Sequence, residues 1–284
     1  MNYTELLHES AKERNSIVCL GMDPVMEDIP IQGKSVEETI TKFYSDILNM
    51  CESENVWPSA CKPNYAFYAQ YGFEGLRALK KVCEIVKEKK LPLILDGKRG
   101  DIGKTSGAYA KEVYSFWGAD CATISPYMGW DTIEPFAEWC TEKGKGIYVL
   151  ARTSNPSAAE FQNLEINGVP LYEKVSEKIA DWNQKTKGGV GAVIGATSIA
   201  ELQRLHDYFS SRDAKVPYLI PGLGKQGGSA SEVMNVLQSK GADLTIHRIN
   251  SSSDINYAYK KQNTTDYAGA AVKALRELNN VTKI

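Results

Sequence analysis

The chain has 284 residues, and its 33 basic and 35 acidic side chains leave a formal net charge of only −2 at pH 7. Because no long run of like charge is present, the sequence excludes a protein that binds nucleic acid or an anionic membrane through bulk charge. No apolar run approaches the roughly 20 residues that a membrane-spanning helix needs, and the first residues do not resemble a signal peptide. We therefore expect a globular cytoplasmic protein whose ligands, including small anions, are recognised by local charge.

The cysteines and histidines give no sign of metal binding or of nucleophilic catalysis. The six cysteines are Cys19, Cys51, Cys61, Cys83, Cys121 and Cys140, and they form no C-x-x-C pair. We expect them to be reduced and mostly buried, without a structural zinc site. His8, His206 and His247 have no serine or cysteine nucleophile signature near them, so no catalytic triad is expected.

In chain order, an amphipathic segment predicts an N-terminal helix, and short apolar runs then alternate with segments of helical periodicity. The predicted strands cover residues 16–22, 59–66, 91–96, 120–125, 146–151, 189–194, 216–221 and 243–249. The predicted helices cover residues 36–54, 72–90, 105–117, 131–143, 170–186, 198–211, 228–239 and 264–279. Several strands are almost continuously apolar, which is typical of parallel strands covered on both faces. Eight such repeats predict a single-domain (β/α)8 TIM barrel over residues 1–284, with an extra N-terminal helix and a polar insertion at 155–169.

Polar, charged and glycine residues follow the predicted strands. In a barrel of this kind the chemistry lies at the carboxyl ends of the strands, so these residues are the candidates for a site. They are Asp23, Lys62, Asp96, Lys98, Ser125, Arg152 to Asn155, Gly195, Gly222 to Gly228, and Arg248 to Ser253.

The third predicted strand ends in a cluster of charges of both signs. Asp96 and Lys98 are two residues apart and should project from the same face, with Asp101 in the following loop. Lys62 ends the preceding strand and is expected beside them. Ordered charges of both signs are costly to assemble and are typical of sites where protons move. A lysine between carboxylates is held protonated, which makes it a proton donor and a poor Schiff-base nucleophile.

A decarboxylation would use these groups directly. An aspartate would lie next to the substrate carboxylate, carbon dioxide would leave, and the lysine would protonate the resulting carbanion. Two like charges about 4 Å apart repel by about 4 kcal/mol at an effective dielectric of 20, so repulsion alone would explain no more than about three decades of rate. The remainder would come from stabilisation of the carbanion and from binding energy at remote groups such as a phosphate.

Short motifs recur at the ends of the predicted strands, namely Gly21-Met22-Asp23-Pro24, Cys61-Lys62-Pro63-Asn64 with Ala66-Phe67, the D-x-K-x-x-D-I motif of residues 96–102, Pro126-Tyr127-Met128-Gly129 with Asp131, Thr153-Ser154-Asn155-Pro156, and Pro221-Gly222-Leu223-Gly224-Lys225-Gln226-Gly227-Gly228. With these motifs the sequence resembles the orotidine 5′-phosphate decarboxylase family, specifically its longer bacterial branch, over almost the whole chain. Each motif is weak alone, but their order at the ends of barrel strands is highly specific.

The resemblance implies conversion of orotidine monophosphate to UMP, the last step of pyrimidine synthesis, without metal or organic cofactor. Lys98 would be the proton donor, Asp96 would lie next to the substrate carboxylate, and Lys62 would bridge Asp96 and the ribose hydroxyls. The other implied substrate contacts are Asp23 to the ribose, Ser154 to the pyrimidine, and Gln226 with backbone amides of the loop around Gly224 to the phosphate. The family also implies a homodimer, in which Asp101, Ile102 and Thr105 complete the partner's site.

One segment departs from the family pattern. After the eighth strand the family carries an arginine, in a segment like N-S-S-R-G, that clamps the phosphate, whereas this chain has Ser253 and Asp254 there. Lys225 or Arg248 could replace the arginine, and we favour Lys225 because it belongs to the loop already expected at the phosphate. Lys225→Ala is then expected to raise KM far more than Ser253→Ala does.

Two other functions are compatible with parts of the sequence. A magnesium-dependent sugar-phosphate decarboxylase or aldolase of the same barrel group shares D-x-K-x-x-D, but the motif at 153–156 and the lack of a further acidic ligand argue against it. A nucleotide-binding paralogue with impaired catalysis is prompted by Ser253 and Asp254. The four charged residues retained at 62, 96, 98 and 101 argue against that alternative.

Overall fold

Ten strands lie in the part of the chain that the structure, a computed structural model, describes, namely residues 1–212, 215–224 and 227–284. They are β1 (Val18–Met22), β2 (Ala60–Pro63), β3 (Ile94–Arg99), β4 (Cys121–Ile124), β5 (Gly146–Arg152), β6 (Glu165–Ile166), β7 (Val169–Pro170), β8 (Val190–Ile194), β9 (Tyr218–Ile220) and β10 (Arg248–Ser251). Eight of these form one parallel sheet in the order β2-β1-β10-β9-β8-β5-β4-β3. Parallel bridges from Cys61 to Leu93 and from Asn64 to Asp96 join its two ends, so the sheet closes into a barrel.

Helices surround this barrel. They are α1 (Tyr3–Arg14), α2 (Val36–Ser53), α3 (Tyr65–Ala69), α4 (Gly72–Glu88), α5 (Gly103–Lys111), α6 (Trp130–Lys143), α7 (Ala159–Gln162), α8 (Leu171–Lys185), α9 (Ile199–Ser211), α10 (Ala230–Gln238), α11 (Ser253–Asn256), α12 (Ala258–Gln262) and α13 (Tyr267–Val281). The (β/α)8 barrel and the extra N-terminal helix predicted from the sequence are confirmed. None of the helices in the described ranges is long and apolar enough to cross a bilayer.

Capping and apolar periodicity explain why the outer helices form where they do. Helix α2 begins after Ser35, whose side chain accepts a hydrogen bond from the Glu38 backbone N–H. Its apolar stripe, which includes Ile40, Phe43 and Ile47, is fully buried. Burial of each such side chain contributes about 1.5 to 3 kcal/mol to folding. The apolar face of the helix therefore fixes its orientation on the barrel.

Helix α1 packs against one end of the barrel. Asn2 and Glu5 form a reciprocal capping box at its start. The Tyr3 ring lies so close to Gly146, at the amino end of β5, that a Cβ there would be 2.2 Å from it. Tyr3 also packs edge-to-face with Tyr148, with ring centroids 5.8 Å apart. Only glycine fits at position 146 in this arrangement.

Arg248 lies at this same end of the barrel. It is fully buried at the start of β10, and its guanidinium donates to the carbonyl oxygens of Thr245, His247 and Leu7 at 2.8, 2.7 and 2.6 Å. Because these contacts are at the amino end of the strand, Arg248 is directed away from the end where a phosphate is expected. The alternative that Arg248 replaces the missing arginine is therefore wrong.

Some element boundaries differ from the sequence prediction. Residues 244–246 form a 3-10 turn rather than the start of the last strand, because the Asp243 side chain accepts a hydrogen bond from the Thr245 N–H. The predicted second strand ends early at Pro63, and Asn64 caps the short helix α3 in its place. The polar insertion contains α7 and the two-stranded hairpin β6-β7. All six cysteines are free and buried, as predicted.

Candidate active site

A cavity of about 600 Å³ opens at the carboxyl ends of the barrel strands. This is the end at which the sequence places its polar residues, and the cavity is the natural candidate site. Five of the residues to which the family resemblance gives a role line it, namely Asp23, Lys62, Asp96, Lys98 and Ser154.

Asp96 lies between two lysines in this cavity. Its Oδ2 is 2.9 Å from Nζ of Lys62, and its Oδ1 is 2.7 Å from Nζ of Lys98. Asp96 is only 7% exposed and Lys62 is buried, whereas half of the Lys98 side chain is exposed. Lys62 and Asp96 thus form a buried ion pair that is held in place, and the Lys98 ammonium faces the open part of the cavity.

The two buried charges keep each other ionised. Burial alone would raise the pKa of Asp96, but Lys62 and Lys98 outweigh it and hold that pKa well below its ordinary value. Burial alone would lower the pKa of Lys62, but Asp96 and Asp23 outweigh it and raise that pKa above its ordinary value. Both groups are therefore charged at neutral pH.

Lys98 reaches Asp96 through an irregular strand end. Its φ is +44°, a left-handed conformation that is unfavourable for a lysine, and the register between β3 and β4 shifts between Leu95 and Arg99. The prediction assumed regular alternation along the strand. The two side chains do meet, but they do so through this bulge.

Thr123 on β4 supports both catalytic candidates, and the sequence analysis did not identify it. Its hydroxyl accepts a hydrogen bond from the Lys98 N–H and donates one to Oδ1 of Asp96, both at 2.9 Å. The signal in the sequence is a hydroxyl in the middle of the apolar strand Cys121–Ile124. A buried polar residue facing the interior of a barrel needs polar partners, and here they are the residues of the site.

Asp23 contributes an oxygen to the cavity from the end of β1. Its Oδ1 is buried without a hydrogen-bond partner in the described part of the chain. Tyr257 fixes the backbone at Asp23 and just after it, because its hydroxyl donates to the Asp23 carbonyl at 3.1 Å and accepts from the Val25 N–H at 2.8 Å. Tyr257 also lines the cavity and was not identified from the sequence.

A second polar region of the cavity is formed by the residues that follow β9 and β10. Gly222 and Leu223 line it on one side, and Ser253 and Asp254, at the start of α11, line it on the other. Gly224 contacts Asp254 and has a φ of +68°, which glycine tolerates without strain. Lys225 and Gln226 lie outside the described residues.

Comparison with known proteins identifies the chain. A model of the Orotidine 5'-phosphate decarboxylase / HUMPS family matches residues 16–266. The chain belongs to this family. It is 32% identical over 302 residues to the orotidine 5'-phosphate decarboxylase of Caldicellulosiruptor bescii, covering 98% of this chain and 97% of that protein. It is 35% identical over 286 residues to the orotidine 5'-phosphate decarboxylase of Dehalococcoides mccartyi, covering 99% and 98%.

Solved structures of the decarboxylase family have the same fold. The OMP decarboxylase of Leishmania donovani superposes with a TM-score of 0.77 at 30% identity, covering 99% of each chain. The UMP synthase of the same organism superposes with a TM-score of 0.80 at 31% identity, and the present chain spans 57% of its length.

Three residues that the decarboxylase family would assign to a partner's site do not line the cavity. The Asp101 Oδ1 accepts a hydrogen bond from the neighbouring Ile102 N–H at 2.8 Å, and the side chains of Ile102 and Thr105 are exposed. The structure therefore brings Lys62, Asp96 and Lys98 together and leaves Asp101 outside their cluster.

Proposed function

We propose that this protein converts orotidine 5′-phosphate to UMP in pyrimidine biosynthesis, without metal or organic cofactor, in one barrel domain spanning residues 1–284. The observation that carries the proposal is the buried Asp96 carboxylate held between Lys62 and Lys98 at the bottom of the cavity. The names of the full-length relatives support the same reaction.

Lys98 supplies the proton in the proposed reaction. The substrate carboxylate lies beside Asp96, the bond from pyrimidine carbon 6 to the carboxyl carbon breaks, and its electron pair stays on carbon 6. Carbon dioxide leaves, carbon 6 takes a proton from the Lys98 ammonium, and solvent returns a proton to Lys98. The alternating charges allow this because the ammonium is 2.7 Å from a carboxylate that is itself kept ionised.

Asp96 cannot move away from the substrate carboxylate at low cost. Lys62 and Thr123 both hold it in place. Repulsion between the two carboxylates supplies at most about three decades of rate, from about 4 kcal/mol at an effective dielectric of 20. The ammonium of Lys98 and the binding energy of the ribose and phosphate supply the remainder.

The remaining contacts follow the arrangement of the cavity. Asp23 and Lys62 bind the ribose hydroxyls, which supply the partners that the buried Asp23 oxygen needs. Ser154 binds the pyrimidine. Gln226, Lys225 and backbone amides near Gly224 bind the phosphate, and this part of the proposal rests on the sequence alone for Lys225 and Gln226.

A homodimer with shared sites is the second part of the proposal. Asp101, Ile102 and Thr105 would complete the partner's cavity, and their absence from the lining of their own cavity supports this. Apolar side chains exposed after β3 and β4 support a contact there, namely Ile102, Tyr127 and Met128. The six reduced cysteines are consistent with a cytoplasmic protein.

The decisive experiment follows the absorbance of orotidine 5′-phosphate with the wild type and with Lys98→Ala. We expect turnover by the wild type and a loss of about 10² to 10⁴ in kcat for the variant, because the proton donor is removed. Lys143→Ala, on the exposed face of α6, is the matched control and should retain full activity.

Two other outcomes would reassign the function. Activity abolished by EDTA would favour the magnesium-dependent sugar-phosphate enzyme. A wild type that binds UMP but leaves orotidine 5′-phosphate unchanged would favour the nucleotide-binding paralogue, which Ser253 and Asp254 make the second candidate.

A further inference from the structure

A carboxylate lies where the proposed function needs to bind a phosphate. Asp254 lines the cavity beside the loop after β9. One of its oxygens, Oδ2, is so close to Gly224 that a Cβ on the glycine would be 1.6 Å from it. A phosphate bound by this loop therefore approaches a negative side chain, which opposes its binding unless a cation compensates.

Among the residues that the structure describes, the lysines that line the cavity already have an ion-pair partner. Nζ of Lys62 and Nζ of Lys98 both pair with Asp96, at 2.9 and 2.7 Å. Any cation that compensates Asp254 therefore has to come from outside this group.

Lys261 on α12 is the cation that Asp254 contacts. Its Nζ is 2.6 Å from Oδ1 of Asp254, while the other oxygen of that carboxylate lies against Gly224. The Lys261 side chain is 67% exposed and does not itself line the cavity, but its ammonium reaches Asp254, which does. An ammonium has three donors and this ion pair uses one. The neighbouring Lys260 is directed differently, because its ammonium pairs with Asp28.

We propose that Lys261 binds the 5′-phosphate of the nucleotide, with Asp254 holding its ammonium beside the loop after β9. Ser253 makes this possible because its short side chain leaves space where the family carries the long side chain of an arginine. The inference rests on the proposed function, since it takes a nucleotide as the ligand. It makes Lys261 a specificity-determining residue for phosphorylated over unphosphorylated nucleosides.

The test compares the affinities of UMP and uridine by calorimetry. Lys261→Ala should weaken UMP binding by about tenfold to a hundredfold, because a charge-assisted contact is lost, and should leave uridine binding unchanged. Lys273→Ala, which removes an exposed lysine of α13 outside the cavity, is the control for the change in net charge and should affect neither ligand.

A double variant separates a role in binding from damage to the fold. Adding Asp254→Asn to Lys261→Ala removes the unpaired carboxylate and should recover part of the lost UMP affinity. A Lys261→Ala protein that binds UMP as tightly as the wild type, or that loses UMP and uridine affinity equally, would overturn the inference. Failure of the proposed function gives a different result, namely wild-type UMP binding without turnover of orotidine 5′-phosphate.

Discussion

A single hydroxyl links the two catalytic candidates at the scale of individual residues. Thr123 fixes the Asp96 carboxylate through its proton and the Lys98 backbone through its lone pair. Lys98 needs this support because its left-handed backbone is held in an unfavourable conformation, which costs about 1 to 3 kcal/mol. Thr123 is therefore a positioning residue for Lys98, the proposed proton donor.

Replacing Thr123 by valine should lower kcat by about tenfold or more with little change in KM, because 1 Å of misplacement of a catalytic group is costly. Valine keeps the shape but removes both hydrogen bonds. Steady-state kinetics with orotidine 5′-phosphate measure the effect, and Thr123→Ser should restore most of kcat. Thr141→Val, on the exposed part of α6, is the matched control. An unchanged kcat in Thr123→Val would contradict the assigned role.

The sequence predicts charged site residues better than the residues that position them. Lys62, Asp96 and Lys98 each follow an apolar run, so their convergence follows from parallel strands ending at one rim. Thr123 and Tyr257 act on neighbours that are distant along the chain, and no local pattern marks them. The sequence leaves Arg248 open as a replacement for the arginine missing at Ser253. The five-residue spacing between these positions does not tell which end of the barrel the Arg248 side chain faces.

At the scale of elements, the short apolar runs predicted every strand of the barrel but not all of the strand ends. The last strand starts later than predicted because the Asp243 side chain stabilises a turn across residues 244–246. The second ends earlier because Asn64 caps a helix. In both cases a side-chain hydrogen bond to the backbone stabilises another conformation in place of the strand. The pattern of apolar residues does not reveal such a hydrogen bond.

His247, just before β10, makes the stability of the barrel sensitive to acid. The ring is buried, its Nδ1 accepts from the Tyr218 N–H at 3.1 Å, and it stacks on the Tyr218 ring. Burial and then the neighbouring His206 lower the pKa of His247 to about 3, with Arg248 acting in the same direction and Asp243 against it. Between this pKa and the ordinary histidine pKa of about 6.5, His247 is protonated in the unfolded chain but neutral in the folded chain.

We expect the free energy of unfolding to fall by about 1.4 kcal/mol per pH unit below about 6.5, from this group alone, because the lowered pKa favours the unfolded state in acid. Urea titrations between pH 7 and 5 measure the slope. His247→Asn, whose side-chain oxygen can replace Nδ1 as acceptor, should flatten it. A slope that His247→Asn leaves unchanged would contradict the prediction.

At the scale of the whole molecule, the position of Asp101 outside its own cavity bears on assembly. If the proposed dimer shares its sites, each active site takes Lys98 from one subunit and Asp101 from the other. Exposed apolar residues lie on the same rim as the cavity, so a subunit contact there would place the loop 101–105 next to the partner's site.

Co-expression of Lys98→Ala with Asp101→Asn tests this arrangement. Each variant alone should be nearly inactive, but random pairing should restore about one quarter of the wild-type sites, because half of the dimers are mixed and each has one intact site. Activity measurements on the mixture, normalised to protein, give the result. No recovery in demonstrably mixed dimers would show that Asp101 serves its own subunit.

Because all six thiols are buried, the folded barrel is expected to be unreactive towards cysteine reagents. Burial raises the pKa of Cys19, Cys51, Cys83 and Cys140 to about 12, so almost no thiolate is present even if a reagent reaches them. Cys19, Cys61 and Cys121 lie on strands of the barrel wall itself, namely β1, β2 and β4. The rate at which an alkylating reagent modifies these cysteines therefore measures how often the wall of the barrel opens.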